Sequence, residues 1–138
     1  MTDLLKDVEE FYAGFAASDF DRAFRIFAET VITVEPALGR AAGLNVWREY
    51  DEAFKTACPD AIFVLRSAVQ EGERIAVEGS LRGTFAAPLR TPQRELQPTG
   101  HSFDVWFAHF LLFHEGKVVE HHIYYDQVAF GVQLGIIP

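Results

Sequence analysis

The sequence predicts an α+β domain, helices first and an antiparallel sheet second, and three observations carry that expectation. Apolar residues recur at helical spacing through the first half, β-branched and aromatic runs fill the second, and tight-turn dipeptides separate those runs. The 138 residues fit one domain spanning 1–138, a size that buries roughly 70% of the unfolded surface around one core.

The first helix rests on Leu4, Leu5, Val8, Phe11, Tyr12, Phe15 and Ala16, opposite Lys6, Glu9 and Glu10, and it ends near Ala17. Ser18 or Asp19 can cap a second, short helix with Phe20, Ala23, Phe24 and Phe27 on its apolar side. Thr30 to Glu35 reads as a strand stopped by Pro36, and Ala37 to Ala42 as a loop. Leu44, Val46, Trp47, Tyr50, Ala53 and Phe54 mark a third helix ending near Cys58-Pro59. From Ile62 the period changes: Ile62 to Val69, a Glu71-Gly72 turn, then Ile75 to Phe85 form a hairpin. Pro88, Pro92 and Pro98 interrupt the segment from Ala86 to Pro98, which is either a mobile lid over a pocket or an inert surface connection. Gly79 and Gly83 stand isolated within a strand and mark bends. A final long hairpin runs from Phe103 to Phe113 and from Val118 to Gln127 around Glu115-Gly116.

Composition excludes several functions. Twelve Lys and Arg against twenty Asp and Glu give a net charge of -8, which repels phosphate backbones and anionic lipid heads, so no nucleic acid or membrane partner is expected. The single cysteine, Cys58, leaves no internal disulfide and no cysteine-based zinc site, and reads as a buried thiol. The chain starts without a basic region and apolar run, and holds no long apolar stretch, so a cytoplasmic protein is expected. It carries no Ser-His-Asp order, phosphate-cradling glycine loop or dinucleotide fingerprint.

If Glu115 and Gly116 occupy a two-residue turn, His114 pairs with Lys117 and the register continues evenly. One face then carries Val105, Phe107, His109, Leu111 and Phe113 against Asp126, Tyr124, His122, Glu120 and Val118. The other carries Trp106, Ala108, Phe110 and Leu112 against Tyr125, Ile123, His121 and Val119, which is too apolar to leave in water. A homodimer through the sheet would cover it. An ionised carboxylate in aromatic surroundings is costly to leave unpaired, so Asp126 reads as an acid/base group. His109 and His122, opposed in this register, read as groups that either shuttle a proton or hydrogen-bond a substrate carbonyl. Glu35, at a strand end, is a second candidate carboxylate, and Tyr12, Phe15, Trp47, Phe107 and Tyr124 are candidate ligand-binding residues. His121 and His122 point to opposite faces and cannot share a metal, so no metal site is expected.

With these elements placed, the chain resembles the SnoaL-like polyketide cyclase branch of the NTF2-like (nuclear-transport-factor-2-like) superfamily, which also holds ketosteroid isomerases. The resemblance rests on Phe11-Tyr12 to Ser18-Asp19-Phe20-Asp21, Val34-Glu35-Pro36, Gly83-Thr84-Phe85 and Pro98-Thr99-Gly100-His101. It continues through Gly116-Lys117-Val118-Val119-Glu120, Asp126 and Gln133-Leu134-Gly135. It implies an NTF2-like cone, in which a curved antiparallel sheet packs with three N-terminal helices around a deep apolar pocket, commonly in a homodimer and without cofactors. It implies that Asp126 is the acid/base of an intramolecular aldol closure, while Phe85 stands where relatives often have His. Glu35 falls where the isomerase base sits, but Phe11 and Ala108 fall where the isomerase has its two hydrogen-bond donors, and Tyr12 points about 100° away from Phe11. Steroid isomerisation is therefore not expected. The reading is a small-molecule enzyme of cyclase or isomerase type (lyase or isomerase chemistry), acting on a hydrophobic carbonyl compound. The alternative is a non-catalytic protein that binds a small ligand in the same pocket.

Overall fold

The structure, a computed structural model, describes residues 3–138. Its first helix, α1 (Leu4–Ala16), starts where the Asp3 carboxylate accepts a hydrogen bond from Lys6 N at 3.3 Å. That satisfies one of the backbone donors that a helix N-terminus leaves free. Leu4, Val8, Phe11, Tyr12 and Phe15 form its buried stripe. Asp19 caps the single turn α2 (Phe20–Ala23) in the same way, and a 3₁₀ turn (Phe24–Ile26) leads into β1 (Phe27–Glu35).

The chain then forms β2 (Gly39–Ala42), where a loop was expected, followed by α3 (Leu44–Ala57). The β2 segment is polar and short, so periodicity could not mark it; it becomes a strand by pairing antiparallel with β1 from Ile32↔Ala42 to Glu35↔Gly39. Next come β3 (Ile62–Glu71) and β4 (Arg74–Thr84), whose two-residue turn is Gly72-Glu73, one position later than expected. Gly72 takes φ +58° at the first turn position, where only glycine is at ease. The segment from Ala86 to Pro98 carries a small ribbon, β5 (Leu89–Arg90) with β6 (Glu95–Leu96), and Leu89 and Leu96 pack on a core cluster around Phe15, Phe85 and Phe103. The long hairpin is β7 (Ser102–His114) and β8 (Lys117–Tyr125), and a further helix, α4 (Gln127–Leu134), closes the chain.

The main sheet has the order β2-β1-β8-β7-β4-β3. It is mixed rather than purely antiparallel, because β1 runs parallel to β8, a pairing made across the whole length of the fold and invisible to local pattern. Helices α1 and α3 cover its inner face. Val8, Phe11, Phe24, Phe27, Val31, Trp47, Ile75, Leu111, Phe113 and Val118 are buried there. Cys58 is a buried free thiol, its proton affinity pushed up to about 12 by burial.

One irregularity decides which side chains face inward. Glu115 and Gly116 take φ +50° and +80° in the expected two-residue turn, and His114↔Lys117 and Phe113↔Val118 pair as expected. The next pair is Leu112↔Glu120: Val119 is an extra residue, a β-bulge. Because side chains alternate with period two, this single slip exchanges the faces for the rest of β8. His121, Ile123 and Tyr125 join Phe107, His109 and Leu111 on the inner face, whereas His122 and Tyr124 join Phe110 and Ala108 on the outer one.

Candidate functional site

A cavity with about 590 Å³ of empty space, its mouth included, lies between the inner sheet face, α1 and α3, with Phe130 of α4 on its rim. Phe11, Trp47, Phe54, Phe63, Leu81, Val105, Phe107 and Ile123 make most of its wall apolar. Five polar residues interrupt that wall: Glu35, Tyr50, Asp51, His109 and Tyr125. A few polar groups convergent on an apolar hollow are the usual composition of a small-molecule site.

Glu35 ends β1 just before Pro36. Its Oε2 accepts hydrogen bonds from Ala37 N at 3.1 Å and Leu38 N at 2.8 Å, and its Oε1 accepts one from the Tyr125 hydroxyl. All three partners donate, which is the pattern that suits a carboxylate. Tyr125 and Tyr50 keep their phenolic protons, since burial first and the Glu35 charge second push both well above the tyrosine range.

Asp51 stands in the opposite condition. It lies on α3 one turn after Trp47, is 5% exposed, and its Oδ2 has no hydrogen-bond partner among the described residues. Burial, then the neighbouring Glu52 and Glu35 charges, push it up to about 8, with Lys55 opposing weakly. At neutral pH Asp51 is a carboxylic acid with a proton to give.

The third polar group is His109. Its Nδ1 lies 2.5 Å from the Tyr12 hydroxyl. Burial, with the charge of Asp51 adding to it, raises Tyr12 well above its ordinary value, so the phenol keeps its proton and donates it to Nδ1, its sole hydrogen-bond partner among the described residues. The ring proton of His109 then resides on Nε2. Burial, and secondarily His121, hold His109 well below its ordinary value, so it acts as a neutral N–H donor.

The structure thus brings four of the candidate residues, Glu35, His109, Trp47 and Phe107, to one cavity. Tyr12 is buried behind the wall, where it orients His109 rather than lining the hollow. Phe15 belongs to the second core cluster, packed on Phe54 and Phe63. Tyr12 and Phe15 thus stand outside the cavity lining, and three further expected placements are corrected. His122 is half-buried on the outer face, 3.5 Å from Glu120, and Tyr124 is exposed beside it. Asp126 is exposed, and its Oδ1 accepts from Ala129 N at 2.9 Å as the N-cap of α4. The Val119 bulge is the reason for His122 and Tyr124; Asp126 lies just past the end of β8, where the chain turns into a helix whose free N–H groups claim its carboxylate.

Sequence reasoning missed Tyr50, Asp51, Tyr125 and His121. For Asp51 a signal existed: Trp47, Tyr50, Asp51 and Phe54 stand at i, i+3, i+4 and i+7, so an acid occupies the middle of an apolar stripe. For Tyr125 and His121 none did, because only the bulge turns them inward. Among the described residues no group of three His, Cys, Asp or Glu side chains is placed to hold a metal ion, and no helix is long and apolar enough to cross a membrane.

A family model described as SnoaL-like polyketide cyclase matches residues 6–134. Several solved structures share the fold. A putative SnoaL-like polyketide cyclase from Jannaschia sp. CCS1 superposes with a TM-score of 0.84 at 15% identity, over 97% of this chain and 92% of that one. A putative polyketide cyclase from Pseudomonas putida KT2440 gives 0.79 at 22%, over 97% and 99%. AclR, a putative hydroxylase from Streptomyces galilaeus, gives 0.81 at 21%, over 97% and 96%. Identities this low speak for the fold alone. Among proteins of curated function none matches the sequence significantly.

Proposed function

From the premise that this chain belongs to the SnoaL-like polyketide cyclase family, we propose that it is an enzyme needing no cofactor that moves a proton on a hydrophobic carbonyl compound held in the cavity, in a cyclisation or isomerisation. One observation carries the reading. Two carboxyl groups share one apolar hollow, yet Glu35 is surrounded by donors while Asp51 Oδ2 has no partner and Asp51 retains its proton. Three donors around Glu35 suit it to take a proton, and the proton that Asp51 retains suits it to give one.

In this scheme His109 Nε2–H and the Asp51 carboxyl donate to the substrate carbonyl oxygen, where negative charge develops as the enolate forms. Glu35 takes the proton from the carbon next to that carbonyl. In a cyclisation the enolate carbon then bonds to a second carbonyl carbon of the same molecule, and the resulting alkoxide takes its proton from Asp51. Return of the Glu35 proton to Asp51 restores the starting state, so atoms and charge balance with no oxidant or co-reactant. Asp126, as a helix cap, stabilises α4 at the rim of the hollow and stands outside the chemistry.

The test needs no knowledge of the natural substrate. Solvent deuterium exchange into 2-tetralone, a bicyclic ketone with acidic C–H groups, is followed by NMR. We expect the wild type to accelerate exchange, Glu35→Gln to lose roughly 10²-fold or more, Asp51→Asn to lose at least tenfold, and Asp126→Asn to retain the rate. Binding of 2-tetralone without exchange would overturn the enzymatic reading in favour of a ligand-binding protein. Loss in Asp126→Asn with retention in Glu35→Gln would reverse the assignment of roles.

We further propose that the chain self-associates through its outer sheet face. Trp106, Tyr124 and Phe110 on the central strands are 68%, 53% and 40% exposed, an apolar patch that water does not favour. Arg74 and Glu120 flank Leu112 in one row, so a two-fold axis there can set opposite charges against each other. Sedimentation velocity should show a dimer, and Trp106→Glu a monomer; a monomeric wild type would refute it.

A further inference from the structure

The hydrogen bonds around Glu35 tell its two carboxylate oxygens apart. Oε2 accepts from Ala37 N and Leu38 N, in the turn that joins β1 to β2, and neither residue lines the cavity. A carboxylate oxygen carries two lone pairs, so these two bonds fill Oε2 and tie it to the turn. Oε1 accepts instead from the hydroxyl of Tyr125, which does line the cavity. Oε1 is therefore the oxygen on the cavity side, and these three bonds leave it a lone pair to receive a proton.

Tyr125 is itself fixed. It ends β8 opposite Phe107, turned inward by the Val119 bulge, and its ring stands edge-on to Phe130 with centroids 5.7 Å apart at 85°. Burial first and the Glu35 charge second keep its proton in place, so it remains a donor. Tyr50 on α3 is a second phenol beside Glu35 and Tyr125. The last side-chain torsion of a glutamate has broad, shallow preferences of its own. Here the turn holds one oxygen and Tyr125 the other, which sets the plane of the group from both ends.

We propose that Tyr125 is a positioning residue that aims Glu35 Oε1, so that the protein takes one specified hydrogen of the two on the carbon next to the substrate carbonyl. The inference rests on the reading of Glu35 as the base and of His109 and Asp51 as the groups that hold the carbonyl oxygen. With that oxygen held and Oε1 fixed, only the hydrogen on the Glu35 face of the carbon comes within reach. Oε1 takes this proton, the C–H electron pair becomes the enolate, and the carboxyl proton exchanges with solvent before Oε1 returns it to the same face. Bonds and charge balance with no further reactant.

The test follows 2-tetralone in D2O by NMR and mass spectrometry, counting deuterons at C1, the carbon between the carbonyl and the aromatic ring. The wild type should replace one of the two C1 hydrogens quickly and the other no faster than buffer does. Tyr125→Phe keeps the ring on Phe130 and loses only the hydroxyl; it should slow exchange roughly tenfold and replace both hydrogens at similar enzyme-dependent rates. Tyr50→Phe, which removes none of the three bonds, should keep the one-hydrogen course. A general loss of stability would lower the rate without changing which hydrogen leaves. Retention of the one-hydrogen course in Tyr125→Phe would overturn the proposal, and so would its loss in Tyr50→Phe alone. The wild type is a test by itself, since Glu35-dependent exchange of both hydrogens at equal rates overturns the positioning role and leaves the base in place. Exchange that Glu35→Gln does not slow would overturn the base and the positioning role together.

Discussion

Asp51→Asn should make the protein more stable at neutral and alkaline pH, by an amount that grows with pH. Burial and the nearby Glu52 and Glu35 charges raise the carboxyl from 3.8 to about 8. Between those values the folded chain holds a proton that the unfolded chain has released, so the Asp51 contribution to stability is greatest below about pH 4 and falls as pH rises towards 8. The slope is about 1.4 kcal/mol per pH unit, which makes the cost at pH 7 on the order of 4 kcal/mol. That is a large share of the roughly 5–15 kcal/mol that holds a domain folded, and it is the kind of cost a functional acid imposes. An amide in the same place does not titrate. Urea unfolding of wild type and variant at pH 5, 6, 7 and 8 gives the difference in stability directly. We expect it to widen steadily towards pH 8 in favour of Asn. A difference that stays constant across the series would refute the reasoning, because any packing effect of the amide is independent of pH.

The buried histidines act in the other direction. His121 is held at about 3 and His109 well below its usual value, so both are unprotonated when folded, and stability should fall as pH drops below about 6.5; with Asp51 opposing, wild-type thermal stability should peak near pH 6–7. Tyr12→Phe should cost little binding but free the His109 tautomer: ¹⁵N NMR should lose the single Nε2–H form seen in the wild type, and 2-tetralone exchange should fall severalfold. An unchanged tautomer would show that Tyr12 does not set it. Gly79→Ala should destabilise by about 2–3 kcal/mol in thermal or urea unfolding, since an added Cβ would lie 2.0 Å from the Val64 carbonyl oxygen beside the irregular register of β3. Asp126→Ala should lose about 1 kcal/mol as a missing helix cap.

Much of this molecule was legible locally. The stripes of α1 and α3, the glycine-bearing turn at Glu115-Gly116 and the alternation along β7 rest on periods of 3.6 and 2 that neighbouring residues impose on one another. Glu35 and His109 followed from such patterns and lie at the cavity. What failed was anything whose meaning rests on a distant partner. Helix α4 carries apolar residues around most of its circumference, so no helical period marked it in the sequence, and the Asp126 cap sets its start. Strand β2 exists only because β1 offers it an edge.

The amino-acid order alone therefore settled helices α1 to α3, the strands of the two long hairpins, and a net charge of -8. Which side chains enter the cavity was decided in three dimensions. Strand β8 is paired on both sides, parallel to β1 and antiparallel to β7, and both registers shift at Val118–Glu120. One unpaired residue there reverses every alternation beyond it, sending His121 and Tyr125 inward and His122 and Tyr124 outward, because a strand's faces are relative to its neighbours and no residue carries that information by itself.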